Sequence, residues 1–247
     1  MSASEPLWPR GNPLRLAATS LPWRAGLLMV SYFAVGTALF TVTLVAGVAS
    51  VGLLVTAAGI PLLVAVAWLV RAAARVERWR VRLITGEFID SAYLPVSVGL
   101  IATLRTRWTD PATWAHLGYL VALYPLLFVL DVVAFTLWFG LVGAVTVPIW
   151  YRFSGTTFPN GESGDGIALG YFPNGPDGAG AVGLWIGDLA TALTTAAVSL
   201  VLLLLVGNSL VVAAARLHTR IARRLLGPPV DPLAAAKAML ASPGPLV

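Results

Sequence analysis

The sequence predicts an all-α, polytopic membrane protein. Four transmembrane helices form two hairpins in parallel orientation, each ending in an amphipathic basic helix on the cytoplasmic side. Three observations carry this. From Ala25 to Val70 the chain runs 46 residues without Asp, Glu, Lys, Arg or His, bounded by Arg24 and Arg71. A bilayer core about 30 Å thick is crossed by roughly 20 helical residues, so such a run holds two spans and a turn. Charged residues make up 11% of the chain, hydrophobic residues 58%, and mean hydropathy is +0.84, whereas soluble domains carry about 25% charged residues. Finally, fifteen of the sixteen basic residues fall in segments 1–24, 71–115 and 216–247, leaving Arg152 alone between the third and fourth apolar stretches. Basic residues in short flanking loops stay cytoplasmic. Both termini and the 71–115 loop are therefore expected on the cytoplasmic side of the cell membrane, and residues 152–187 outside.

Helix one is expected over Ala25–Ala46 and helix two over Val51–Val70, with the turn near Gly47–Gly52. A turn at Gly59-Ile-Pro61 would leave only about ten apolar residues before Arg71, half of what a crossing takes. Pro61 therefore reads as a kink inside helix two. Arg10, Arg15 and Arg24 precede the first apolar run, and Ala46-Gly-Val-Ala-Ser50 has the small residues of a cleavage site. The run is longer than the 7–15 residues of a typical signal sequence core, which makes it a retained span. Asp110-Pro111 is an N-cap followed by proline at the first helical position. The apolar stretch it opens reaches Trp150, too long for one crossing, and Pro125 divides it into a shallow helix (Ala112–Tyr124) and a third span (Leu126–Val147). The fourth span runs from Leu189 to Ala215, between Asp188 and Arg216. Trp23, Trp114, Trp138, Trp150 and Trp185 fall near the expected interfaces, as an aromatic belt does.

The pattern reads as an internal duplication, the alternative being that any helix leaving a membrane runs from Ala into Arg. Ala72–Ala74, Arg75, Arg82 and Gly86 recur as Ala213–Ala215, Arg216, Arg223 and Gly227 at a constant offset of 141. Each copy leaves the second helix of a hairpin. Arg71, Arg75, Arg78 and Arg82 share one stripe beside Ala72, Val76, Trp79 and Leu83, and Arg216, Arg220 and Arg223 lie beside Leu217, Ile221 and Leu225. Such helices suit an anionic inner leaflet or a protein partner, and these arginines are the candidate lipid- or partner-facing residues. A simple topology anchor is the alternative.

Catalytic chemistry is absent from the pattern. There is no cysteine, so disulfides, thiolate metal sites and cysteine nucleophiles are excluded. No phosphate loop, nucleophile elbow or zinc-protease motif occurs. His116 and His218 have no carboxylate or cysteine near them in sequence, and no metal or other cofactor is expected. In the outer loop, Gly178-Ala-Gly180-Ala-Val-Gly183 fits a dinucleotide fingerprint only formally. Glu162, Asp165 and Asp177 read as parts of a solvated, turn-rich loop, and Phe158, Tyr171, Phe172 and Trp185 as contacts to membrane or ligand. Asp131 is the single charged residue inside an expected span, an intramembrane polar site by default. Thr41, Thr43, Thr194, Thr195 and Asn208-Ser209 are its candidate partners, in a structural hydrogen bond or in proton or ligand coupling. Gly140 and Gly143, or Gly183 and Gly187, offer small surfaces for helix contacts and a homo-oligomer.

Several stretches together resemble a known family. They are Gly52-Leu-Leu-Val-Thr-Ala-Ala-Gly-Ile-Pro61-Leu-Leu, Ala74-Arg75-Val-Glu-Arg, Asp110-Pro111-Ala-Thr-Trp114, Pro148-Ile-Trp-Tyr-Arg152 and Ala215-Arg216-Leu-His218 through Gly227. Over about residues 12–227 the chain is similar to the sensor domain of actinobacterial two-component histidine kinases. The resemblance implies a cell-membrane input module whose exit helix leads to a kinase. The organisation is then a cytoplasmic segment (1–23), a four-helix sensor-like domain (24–227) and a short flexible tail (228–247). That tail is too short for a kinase, so the expected role is non-enzymatic signal input. The expected partners are the lipid bilayer and a separate histidine kinase or other signalling protein, not nucleic acid. A small transporter or permease subunit built around Asp131 is the alternative.

Overall fold

The computed structural model describes residues 13–56, 58–86, 88–90 and 99–228. The segments expected as most of the N-terminal region and the C-terminal tail lie outside the described residues. A short helix α1 (Pro13–Ala17) precedes α2 (Leu21–Gly52), which is followed by α3 (Gly59–Thr85), α4 (Leu100–Thr109) and α5 (Pro111–Leu117). A π-helical segment, Gly118–Ala122, leads into α6 (Tyr124–Val145) and α7 (Val147–Trp150). Four strands follow: β1 (Gly155–Thr157), β2 (Ser163–Asp165), β3 (Ile167–Tyr171) and β4 (Val182–Ile186). Helix α8 (Leu189–Leu202) passes through a second π-helical segment, Leu203–Gly207, into α9 (Asn208–Leu226). Four stretches are long and apolar enough to cross a membrane: Leu21–Val55, Gly59–Leu83, Tyr124–Val145 and Leu189–Leu226. The protein is a helical membrane protein with four candidate spans.

The turn between the first two spans corrects the sequence reading. Helix α2 continues through Gly52, a 3-10 turn covers Leu53–Val55, and Gly59 opens α3. Gly59 is needed there, since a Cβ would sit 2.6 Å from the Leu53 carbonyl oxygen and the Leu54 backbone. Pro61 is the third residue of α3, within the first turn, where its missing N–H breaks no helical bond. It is a helix starter and not a mid-span kink. The error came from taking Arg71 as the end of the crossing. In the structure α3 runs on to Thr85, and Gly86, with φ 77°, closes it by donating its N–H to the Arg82 carbonyl at 2.8 Å. Similarly, no break separates the fourth span from the basic segment at Ala215, because α9 carries both.

Other boundaries were legible. Asp110 caps α5 by accepting the Ala112 N–H at 3.0 Å, with Pro111 in the first position. Asp188 caps α8 by accepting the Thr191 N–H at 2.8 Å, and that bond holds its carboxyl below the usual carboxylate range. Pro125 does mark the start of α6, although the residues before it are partly π-helical.

The chain divides into two compact units, and neither is one of the expected hairpins. One unit comprises the chain to Gly26 with Asp131–Ala214. Here Trp138, expected at the membrane interface, is buried instead. Trp23 packs against it edge-on at 5.0 Å, and its indole N–H donates to Asn208 Oδ1 at 3.0 Å. The same unit contains the strands, which the all-α expectation did not include. Both sheets are two-stranded and antiparallel, β1 with β2 and β3 with β4. Phe158 packs with Phe172 and Trp185, while Ile186 joins Val147, Tyr151 and Ala192 in a small core. Gly170 faces Gly183 across β3–β4, both at positive φ, and a Cβ on Gly170 would lie 2.3 Å from the Val182 carbonyl oxygen. The glycines that suggested a solvated loop are what let these strands approach.

The other unit comprises Leu27–Leu130 with Ala215 onward. Its apolar core joins Tyr32 of α2, Val66, Val70, Ala73 and Val81 of α3, Tyr119 and Leu120 of the π segment, Tyr124 and Leu127 of α6, and Ala222 and Leu226 of α9. Tyr124 stacks on Phe40 at 4.4 Å and shares a 2.6 Å hydrogen bond with Thr37.

The Gly170 geometry gives a direct test. Gly170→Val imposes both the clash and an unfavourable backbone region, the latter costing about 1–3 kcal/mol. Limited proteolysis should cut the 155–186 segment of the variant several-fold faster than the parent, while circular dichroism shows the helix content unchanged.

Candidate functional site

The second half of α3 is patterned inside out. Val76, Trp79 and Leu83 are exposed, whereas Arg71, Glu77, Arg78 and Arg80 are buried. A helix in water does the reverse. In lipid, charged side chains turn to the bundle interior and pair there. The expected stripe of outward-facing arginines is corrected accordingly: Arg75 and Arg82 are exposed, but Arg71 and Arg78 face inward with partners. On α9, Arg220 and Arg223 are exposed and Arg216 is half-buried.

Glu77, 0% exposed, is the centre of the buried cluster. Arg80 grips it with two bonds, Nε to Oε2 at 2.8 Å and Nη2 to Oε1 at 2.5 Å. The opposite side of the Arg80 guanidinium donates from Nη1 to the Leu28 carbonyl at 2.7 Å and to Ser31 Oγ at 2.9 Å. Tyr119 donates its hydroxyl to Glu77 Oε1 at 2.8 Å. His218 brings Nε2 within 3.1 Å of that hydroxyl and 3.8 Å of Glu77 Oε1. Tyr32 lies edge-on to the imidazole at 4.5 Å, and its ring is 5.1 Å from the Arg80 guanidinium carbon. The cluster thus ties together α2, α3, the π segment and α9.

Proton supply decides the arrangement. A carboxylate only accepts, so the single hydroxyl proton of Tyr119 goes to Glu77, while His218 Nε2 stands 3.1 Å from the same phenol oxygen and 3.4 Å from Arg80 Nη2. Burial, then the neighbouring Glu77 charge, pushes the Tyr119 phenol well above its usual value, which keeps it a donor. Glu77 and Arg80 balance in charge, and the His218 imidazole lies 3.8 Å from the Glu77 carboxylate.

A second set lies on the same unit. Arg71 pairs with Asp110, Nη2 to Oδ2, at 2.9 Å, so the α5 cap is also an anchor for α3. The Arg107 guanidinium sits 3.7 Å over the Trp68 ring, and burial, with Arg71 adding a like charge, lowers its proton affinity. Arg78 Nη1 donates to the Leu226 carbonyl at 3.1 Å, tying α3 to the last turn of α9. His116 is pushed down to about 4 by burial and by Arg78, so it is neutral at physiological pH.

Asp131 is 0% exposed. Of its expected partners, Asn208 accepts from Trp138, while Thr194 and Thr195 bond back to the Ala190 and Thr191 carbonyls of their own helix. Among the described residues no group of three His, Cys, Asp or Glu side chains could hold a metal. Sequence reasoning missed the Glu77 cluster, because His218 was taken to lack a carboxylate neighbour. One signal did point to it: the repeat offset of 141 pairs position 77 with position 218.

Removing one charge of a buried pair strands the other, at a cost of about 3–5 kcal/mol. Glu77→Gln should therefore lower the thermal midpoint in detergent markedly, and Glu77→Gln with Arg80→Met should recover much of the loss. For His116 the unfolded chain takes up a proton near pH 6.5 but the folded chain only near pH 4. Stability that is complete above pH 6.5 is therefore lost progressively as pH falls towards 4. His116→Gln should flatten that part of the melting profile relative to the parent.

The sequence model of a family described as "Putative sensor" matches residues 28–226, which include every member of the buried cluster. No curated protein and no solved structure matches the chain.

Proposed function

The chain belongs to that sensor family, and from this membership we propose a non-catalytic signal-input module of the cell membrane that acts through a separate histidine kinase or other signalling protein. The observation that carries the reading is the Glu77–Arg80–Tyr119–His218 cluster. It joins the two duplicated basic helices, α3 and α9, at equivalent positions of the repeat. A stimulus that alters protonation or packing there changes how the two helices are held, and both lead into arginine-bearing segments. The proposed orientation follows the basic residues: both termini in the cytoplasm and residues 152–187 outside.

The absence of cysteine makes site-directed labelling clean. Spin labels at Arg75→Cys and Arg220→Cys, both exposed positions, report on the relation of the helices in nanodiscs. Tyr119→Phe deletes one buried hydrogen bond, worth about 1–3 kcal/mol, and should shift the populations of the distance distribution about fivefold or more. An unchanged distribution, with normal insertion, counts against the cluster as the signalling element. Orientation is read separately: Asp177→Cys should react with an impermeant maleimide added to intact cells. Solute flux in proteoliposomes that disappears in Asp131→Asn would replace the sensor reading with transport.

A further inference from the structure

At the C-terminal end of α3 a cleft of about 290 Å³ is lined by Arg75, Arg78, Trp79, Arg82, Phe88 and Ile89, with Asp90 also on its wall. We propose that this cleft binds the phosphate headgroup of an anionic glycerophospholipid. Three guanidiniums face one carboxylate in the described lining, so the cleft attracts an anion. Its components are also ordered by depth. Arg78 is buried and fixed by its bond to the Leu226 carbonyl, while Arg75 and Arg82 stand exposed. The Phe88 ring lies 5.0 Å from the Arg82 guanidinium carbon and restrains it.

The apolar surroundings select a lipid over free phosphate. Trp79 and Leu83 are each 61% exposed and Phe88 is 65% exposed, directly beside these arginines. A soluble anion has no use for that surface, and acyl chains do. The cleft also falls at the end of the candidate span Gly59–Leu83, the depth at which headgroups begin. Basic pockets at span ends are where anionic headgroups bind. Because Arg78 also holds the end of α9, a bound headgroup meets the same α3–α9 tie that the buried cluster secures.

The proposal stands on the cleft and not on the signalling role, and its readout is lipid binding. The full chain is placed in nanodiscs of phosphatidylcholine with or without phosphatidylglycerol, and bound lipid is counted by native mass spectrometry. The parent should retain phosphatidylglycerol selectively. Arg75→Gln with Arg82→Gln removes two exposed cations and should weaken that retention about thirtyfold, or about 2 kcal/mol. Arg220→Gln with Arg223→Gln, two charges removed from another helix, should leave it within about twofold of the parent. Equal retention by the cleft variant, equal loss in both double variants, or competition by millimolar glycerol phosphate would each overturn the proposal. A fold check by circular dichroism accompanies each variant; if the cleft variant does not fold, Arg82→Gln alone is used, with an expected loss of about fivefold and unchanged retention overturning the proposal.

Discussion

Everything in the α3–α9 unit depends on keeping a carboxylate and a guanidinium out of water. Taking Glu77 and Arg80 into a low-dielectric space costs several kcal/mol for each ion. Their bidentate pairing and the added bonds with Tyr119, Leu28 and Ser31 offset that cost only if all three of these partners are in place. This constraint explains why α3 is patterned inside out. It also explains the π-helical turn at Gly118–Ala122, since an extra residue in the turn re-aims a side chain, and Tyr119 is the one that reaches Glu77. A buried ionic cluster is weak evidence of stability, but it fixes one arrangement of helices against others.

The duplication gives the cluster its logic. The two copies of the basic helix meet at equivalent positions, one supplying an acid at 77 and the other a base at 218. The last shared residue has the same role in both: Gly86 donates to the Arg82 carbonyl and Gly227 to the Arg223 carbonyl, at 2.8 and 3.0 Å.

Where sequence reading failed, the physical reasons differ. The first turn was misplaced because an arginine was assumed to end a crossing, although Arg71 continues inward to Asp110, 39 positions along the chain. The strands were missed because glycine erases the alternation by which strands are recognised, and Gly170 facing Gly183 has no side chain to alternate. Trp138 was placed at an interface because tryptophan prefers one. Its partner Asn208, 70 residues away, could not be inferred from local pattern.

The sequence by itself determined the solvent and the rods: one uncharged run of 46 residues admits only lipid, and a continuously apolar run in lipid closes its backbone bonds as helix. The cap at Asp110, which is local chemistry, was legible there too, as was the recurrence of the basic pattern at an offset of 141. Only the tertiary structure decided which face of the basic helices is buried and which arginines pair there. Periodicity places residues on a common face, but the direction of that face depends on what packs there, and here the packing partners come from other helices.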